Sequence, residues 1–224
     1  MKRPEYRIVS STITPERQGL WRGAAWGSIM PLDIASFRPE GSNHRPHAQC
    51  KLQYDSSGLY GIFRVEDQFL RCIHTDFQSD VYKDSCVEIF LQPKVGQGYF
   101  NFEFNCLGGL KASYITNPTR VDGHIRGQNL TKRDDALIQR YHSIQELDNM
   151  DSDKSVTWYL EYYIPFSILE KYVTVPIQLN AWRGNLFKCG DETSHPHWAS
   201  WAPVPELNFH SPQDFGCLHF ALPK

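Results

Sequence analysis

Two glutamates sit inside otherwise apolar runs, Glu88 in "DSCVEIFLQP" and Glu103 in "FNFEFN". An ionised carboxylate among Val, Ile, Phe and Leu is costly unless its side of the strand meets water or a ligand. Alternation divides the side chains between two faces. Val87, Ile89 and Leu91 fall on one face with Phe100, Phe102 and Phe104, and Glu88 and Glu103 fall on the other. The short "PKVGQG" connection makes the two strands antiparallel neighbours, so both carboxyl groups belong to one outer face. Paired carboxylates suit glycoside hydrolysis, with about 5 to 5.5 Å between them in a retaining enzyme and about 6.5 to 9.5 Å in an inverting one. They suit equally a surface that accepts hydrogen bonds from a hydroxyl-rich ligand, or a solvated sheet face that keeps the protein soluble.

The elements that must position them read as strands throughout. Period-two runs bounded by turn residues recur at 50 to 55, 59 to 67, 85 to 93, 99 to 105, 157 to 166, 177 to 185 and 216 to 222, which predicts an all-β, antiparallel sandwich with little helix. The turns "DSSG" and "KVGQG" predict two adjacent hairpins, and "PFSILEKY" predicts one or two helical turns after Pro165. Later strands repeat the polar and aromatic outer face: Tyr159, Glu161 and Tyr163 oppose Leu160, Tyr162 and Ile164, while Gln178, Asn180 and Trp182 oppose Ile177, Leu179 and Ala181. The stretch 117–155 is polar and interrupts the pattern, apart from "ALIQRYHSI", which could add a strand.

The chain has 224 residues, 41% hydrophobic and 21% charged, with a net charge of -2. This length fits one domain with one core, and the charge provides no broad field for nucleic acid or an anionic membrane. Aromatic residues make up 13%, including six Trp and eleven Tyr, enough to display rings as a binding surface. The start "MKRPEYRIVS" lacks the apolar stretch of a secretory signal, which predicts a cytoplasmic location as written, or a secreted or periplasmic one if a leader precedes it. The six cysteines form no CxxC pair and read as mostly free, buried thiols. His195, His197 and His210 lack ligand spacing, so no metal is expected.

In order, "LYGIFRVED", "VYKDSCVEIFLQP", "YFNFEFNCLG", "WYLEYYIPF", "IQLNAWRGN" and "SWAPVPELNFHSPQDFGCLHF" resemble the family 9 carbohydrate-binding modules, and more closely a family 9-like branch of single-domain bacterial proteins. The likeness runs from about Leu59 to Phe220, excluding the polar excursion. It implies a jelly-roll-like sandwich that binds a mono- or oligosaccharide without cleaving it, in association with polysaccharide-degrading enzymes. It also implies that a sugar sits between two rings at the positions of Tyr82 and Phe209. Those positions hold Trp in the best-known modules, so the rings here are smaller. Glu88 and Asn105 match the polar residues that grip the hydroxyls, and Glu103 stands where those modules place an arginine. Arg183, Asn185, Lys188, His197, Trp198 and Trp201 would rim the same cleft, with Asn180, Trp182 and His210 also in the binding site, although Trp201 in "ASWAP" reads equally as a core residue. Pro205 and Pro212 would stiffen the loop that presents Phe209 across an open gap from Tyr82. Calcium often supports that family's fold, but its ligands have no match in this sequence. A glycosidase using Glu88 and Glu103 and a protein-interaction sandwich remain as alternatives. The second would show a flat hydrophobic patch instead of a cleft.

Overall fold

The computed structural model describes residues 3–145, 152–173 and 176–223. Fourteen strands run in the order β1 (Glu5–Ser10), β2 (Leu32–Ile34), β3 (Ser36–Phe37), β4 (His47–Tyr54), β5 (Gly58–Asp67), β6 (Cys86–Gln92), β7 (Tyr99–Asn105), β8 (Leu110–Val121), β9 (His124–Asn129), β10 (Gln139–His142), β11 (Val156–Pro165), β12 (Ala181–Cys189), β13 (Trp198–Ser200) and β14 (Gly216–Phe220). Helix α1 (Lys132–Asp135) precedes β10 and α2 (Phe166–Val173) follows β11, where one or two turns were predicted. None of these helices is long and apolar enough to cross a membrane.

The strands pair in the order β10-β11-β5-β4-β1-β14-β12-β6-β7-β8-β9, and the sheet curls into two facing layers. β1 joins them, pairing parallel with β14 through residues 5 to 8 and parallel with β4 through Val9 and Ser10. The other pairings are antiparallel, so the predicted sandwich stands with this one parallel seam. Between the layers lies a core in which Val87, Ile89 and Leu91 of β6 meet Phe100, Phe102 and Phe104 of β7 and Leu160, Tyr162 and Ile164 of β11. Each such side chain stabilises the fold by about 1.5 to 3 kcal/mol through burial.

Both predicted hairpins form. Asp55 Oδ1 accepts from the amides of Ser57 (2.7 Å) and Gly58 (3.1 Å), closing the β4–β5 turn. The β6–β7 turn passes through Gly96 and Gly98, both at φ 84°, a conformation that a side chain resists. These turns set the register that puts Glu88 directly opposite Glu103.

Two readings of the sequence need correction. The stretch 117–155 is not simply irregular: it holds the end of β8, then β9, α1 and β10, the last within the suspected "ALIQRYHSI" strand. Residues 146–151 lie outside the described residues. The strand expected at 177–185 begins instead at Ala181 and continues to Cys189. Its inward set is Trp182 and Leu186, both in the core, so Trp182 points opposite to the expectation. Ile177 and Leu179 belong to the segment before the strand, and their alternation therefore does not carry into it.

Candidate functional site

The outer face of β6, β7 and β8 forms the floor of a cleft of about 770 Å³. The 3-10 turn Val81–Lys83 supplies Tyr82 on one side, and the loop before β14 supplies Asn208, Phe209 and His210. Glu88, Glu103, Trp198, Tyr82, Phe209 and His210 therefore meet around one space, although they come from five separate parts of the chain.

The two glutamates are more deeply placed than an outer sheet face suggests, at 3% and 5% exposure. Loops cover the face, so the carboxyl groups meet the cleft rather than bulk water. Burial and the charge of Glu103 push Glu88 well above the usual carboxylate range. Burial raises Glu103 to about 7, despite the opposing influence of Lys111 and Asn101. Glu88 Oε1 accepts from the Cys189 thiol at 3.1 Å, and Glu103 Oε1 accepts from Asn101 Nδ2 at 2.6 Å. Glu103 Oε2 and Asn101 Oδ1 are buried without a hydrogen-bond partner. Such orphaned acceptors are costly, and a ligand donor would satisfy them.

The rings are held by packing. Phe209 stacks on Phe187 at 4.0 Å between centroids and 14° between planes, so it is anchored rather than free-standing. Tyr82 is half-buried beside Val81, Cys86 and Cys189, and the Lys111 ammonium lies 4.9 Å from its ring centroid. Trp198 donates its indole N–H to Asp191 Oδ1 at 2.7 Å, and burial raises Asp191 to about 6. Tyr99 OH lies 2.8 Å from His210 Nδ1, and burial lowers His210 to about 4, so its ring is neutral at pH 7.

The other expected residues lie elsewhere, with Lys188 and His197 in contact at 2.7 Å and Trp201 packed against the core. Asn105 is fully buried and pins its own turn: it accepts from the amides of Leu107 and Gly109 and donates to His74 O and Asp84 Oδ2. Asn180 is exposed ahead of β12, accepting from the Ala181 amide. Trp182 is in the core, and its indole donates to Gln178 O at 2.9 Å. Arg183 donates to the carbonyls of Pro212, Gln213 and Phe215, fixing the loop that leads into β14. Asn185 clamps residue 202, donating to Ala202 O and accepting from its amide. Asn105, Arg183 and Asn185 thus serve the backbone of adjacent loops rather than the cleft itself.

Among the cleft residues, Asn101, Lys111, Ser113 and Asp191 were not anticipated as site residues. β8 was the missed element. Its "LKASYI" alternates in the same way as β7, with Leu110, Ala112 and Tyr114 inward, and its register sets Lys111 opposite Glu103 and Ser113 opposite Asn101. The polar "NPTRVDG" that follows hid this period-two signal.

His195, His197 and His210 diverge, stacking on Phe69, contacting Lys188 and contacting Tyr99 respectively. Cys86, Glu88 and Cys189 bring their ligand atoms within 4.8 Å of one another. Two sulfurs do not suit calcium, which takes six to eight oxygen ligands, so this trio is no calcium site. All six cysteines are free thiols, four of them buried.

This sandwich with a ring-lined polar cleft on one sheet face has the form of a carbohydrate-binding module. The model of carbohydrate-binding family 9 matches residues 28–220, and the chain belongs to that family. Among solved structures, it is similar to a candidate carbohydrate-binding protein from Bacteroides uniformis, with a TM-score of 0.82 and 22% identity over 98% of this chain and 100% of the other. A family 9 module from Caldicellulosiruptor kristjanssonii, solved with glucose, gives a TM-score of 0.64 and 15% identity over 98% and 97% of the two chains. A family 9 module from the same organism, solved with cellotriose, gives 0.64 and 15% over 98% and 95%. These identities speak for the fold. No curated protein matches the chain.

Proposed function

We propose that this protein binds a mono- or oligosaccharide in the cleft above β6, β7 and β8 without cleaving it, in the service of polysaccharide utilisation. The observation that carries the reading is the pair of buried acceptors without partners, Glu103 Oε2 and Asn101 Oδ1, facing a cleft bordered by Tyr82 and Phe209. Sugar hydroxyls would donate to the acceptors, and the rings would cover C–H faces of the pyranose. Family membership and the sugars bound by the Caldicellulosiruptor kristjanssonii module support the same reading. The volume suits one to a few sugar units, within the roughly 300 to 1,000 Å³ of ordinary ligand pockets.

A second reading, glycoside hydrolysis by Glu88 and Glu103, draws on their direct opposition across β6 and β7. Against it, the family to which the chain belongs is a carbohydrate-binding one. Calorimetric titration with mono- and oligosaccharides, with product analysis of every ligand that binds, tests the choice. Binding without turnover is expected. Turnover that disappears in Glu88→Gln would overturn the non-catalytic reading.

A further inference from the structure

The floor of the cleft is rich in acceptors, and the two cations that line the cleft, Lys111 and Arg120, already have hydrogen-bond partners. Glu88 and Glu103 face each other in the ladder, an arrangement that brings like charges into direct opposition. Asn101 donates from Nδ2 to Glu103 Oε1 at 2.6 Å, leaving its own Oδ1 and Glu103 Oε2 without partners. Both residues are more than nine-tenths buried. Lys111 donates to Asp80 Oδ1 at 2.6 Å and lies over the Tyr82 ring, so it is committed to the rim. Arg120, at the outer end of β8, donates to Gly123 O at 3.1 Å. Asp191 adds a third carboxyl group, whose partner is the neutral indole of Trp198.

A neutral sugar can offer hydrogen bonds to this floor but no charge. While it is bound, the opposed carboxyl groups still repel, and one of them is best kept protonated. An ammonium group brings three donors and a full positive charge, and it removes the reason for retaining that proton. We propose that the cleft prefers an amino sugar, a hexosamine with a free protonated amine, over the neutral sugar of the same shape, with the ammonium held by Glu103 Oε2, Asn101 Oδ1 and Glu88. This rests on the carbohydrate-binding reading and specifies the ligand class of the same site.

Titration of the full chain at pH 7 with glucose, glucosamine and N-acetylglucosamine separates the two levels. Glucosamine should bind at least about tenfold more tightly than glucose, and acetylation of the amine should remove the advantage. Glu103→Gln retains the Oε1 acceptor for Asn101 and removes a buried charge, so it should fold. Its thermal midpoint checks this, and its preference for glucosamine should fall to about threefold or less. Glu88→Gln provides an independent second variant with the same expected direction. Equal or tighter binding of glucose by the wild type overturns the amino-sugar inference and leaves the carbohydrate reading in place. A glucosamine preference undiminished in both variants also overturns it, by placing the amine elsewhere. Failure of the wild type to bind these three sugars or cellotriose overturns the carbohydrate reading and this inference together.

Discussion

Two buried polar clusters flank the same pair of strands, β6 and β12, and they are completed differently. On the inward face, Lys188 is fully buried at the end of the core. Its Nζ lies 3.2 Å from Asp67 Oδ2, 2.7 Å from His197 Nε2 and 3.0 Å from Cys189 O. Asp67, at the end of β5 in the other layer, accepts from His44 Nε2 and the Gln68 amide at 2.7 and 2.8 Å. On the outward face, Glu88 and Glu103 oppose each other, and buried acceptors are left without donors. The inward cluster contains its own counter-charge and ties the layers together. In the outward cluster the nearest cation, Lys111 opposite Glu103, donates to Asp80 Oδ1 instead, which fits a site completed by a ligand. Asp67 Oδ2 also lacks a hydrogen-bond partner, but it faces the Lys188 ammonium at 3.2 Å, so a directly paired opposite charge distinguishes the two sides of the sheet.

The largest effect should come from breaking the inward cluster. Lys188→Met would leave Asp67 buried without its cation and should lower stability to urea by about 3 to 5 kcal/mol. The double variant Lys188→Met with Asp67→Leu should recover a substantial part of that loss, because both charges are then gone. Glu103→Gln, which breaks the outward cluster, should be stabilising or neutral at pH 8. A loss in Glu103→Gln as large as in Lys188→Met would erase the distinction.

Acid titration should show the clusters with opposite signs. Glu103 is raised in the folded state to about 7 from an ordinary value near 4.5, so its contribution is full below pH 4.5 and fades as pH rises to about 7. Wild type should therefore lose up to about 3 kcal/mol relative to Glu103→Gln across that window. His197 is lowered to about 3, chiefly by burial and then by Lys188. Its contribution is full above its ordinary value of 6.5 and is lost as pH falls toward about 3. Against a His197→Gln reference, wild type should lose about 2 kcal/mol between pH 6.5 and 5. Urea midpoints of the three proteins across this pH range check both signs.

Much of this contrast could be read from the residues, and the missing part has a physical origin. Alternation placed Glu88 and Glu103 on one face because both strands keep a strict period of two and a short turn fixes their register. The same reasoning failed for Trp182, since the chain enters β12 four residues later than the apolar pattern suggests. It could not show that Asn105, Arg183 and Asn185 would be consumed by backbone groups of adjacent loops, because those partners lie up to 32 residues away. Nor does periodicity tell a solvated outer face from one roofed by loops. The roof of the cleft comes from 80 to 82 and 207 to 210, segments with no repeating pattern.

Smaller effects should come from the rings, and they sharpen the comparison at the rim of the cleft. Tyr82→Ala should weaken sugar binding by about tenfold or more, with a stability cost below about 1 kcal/mol because the ring is only half-buried. Phe209→Ala should weaken binding similarly and also cost about 1 to 2 kcal/mol, since it loses the stack on Phe187. Calorimetry and thermal unfolding on the same samples separate the two contributions.

The most direct test of a ligand-completed outward cluster is to follow backbone amide resonances of the wild type during titration with glucose and glucosamine. Saturable shifts should concentrate on β7, β8 and residues 207 to 210, around Glu103, Lys111 and Phe209, with His44, Asp67 and His197 unmoved. Shifts centred on the His44 and Asp67 side of the sheet, with the Glu103 region silent, would contradict it.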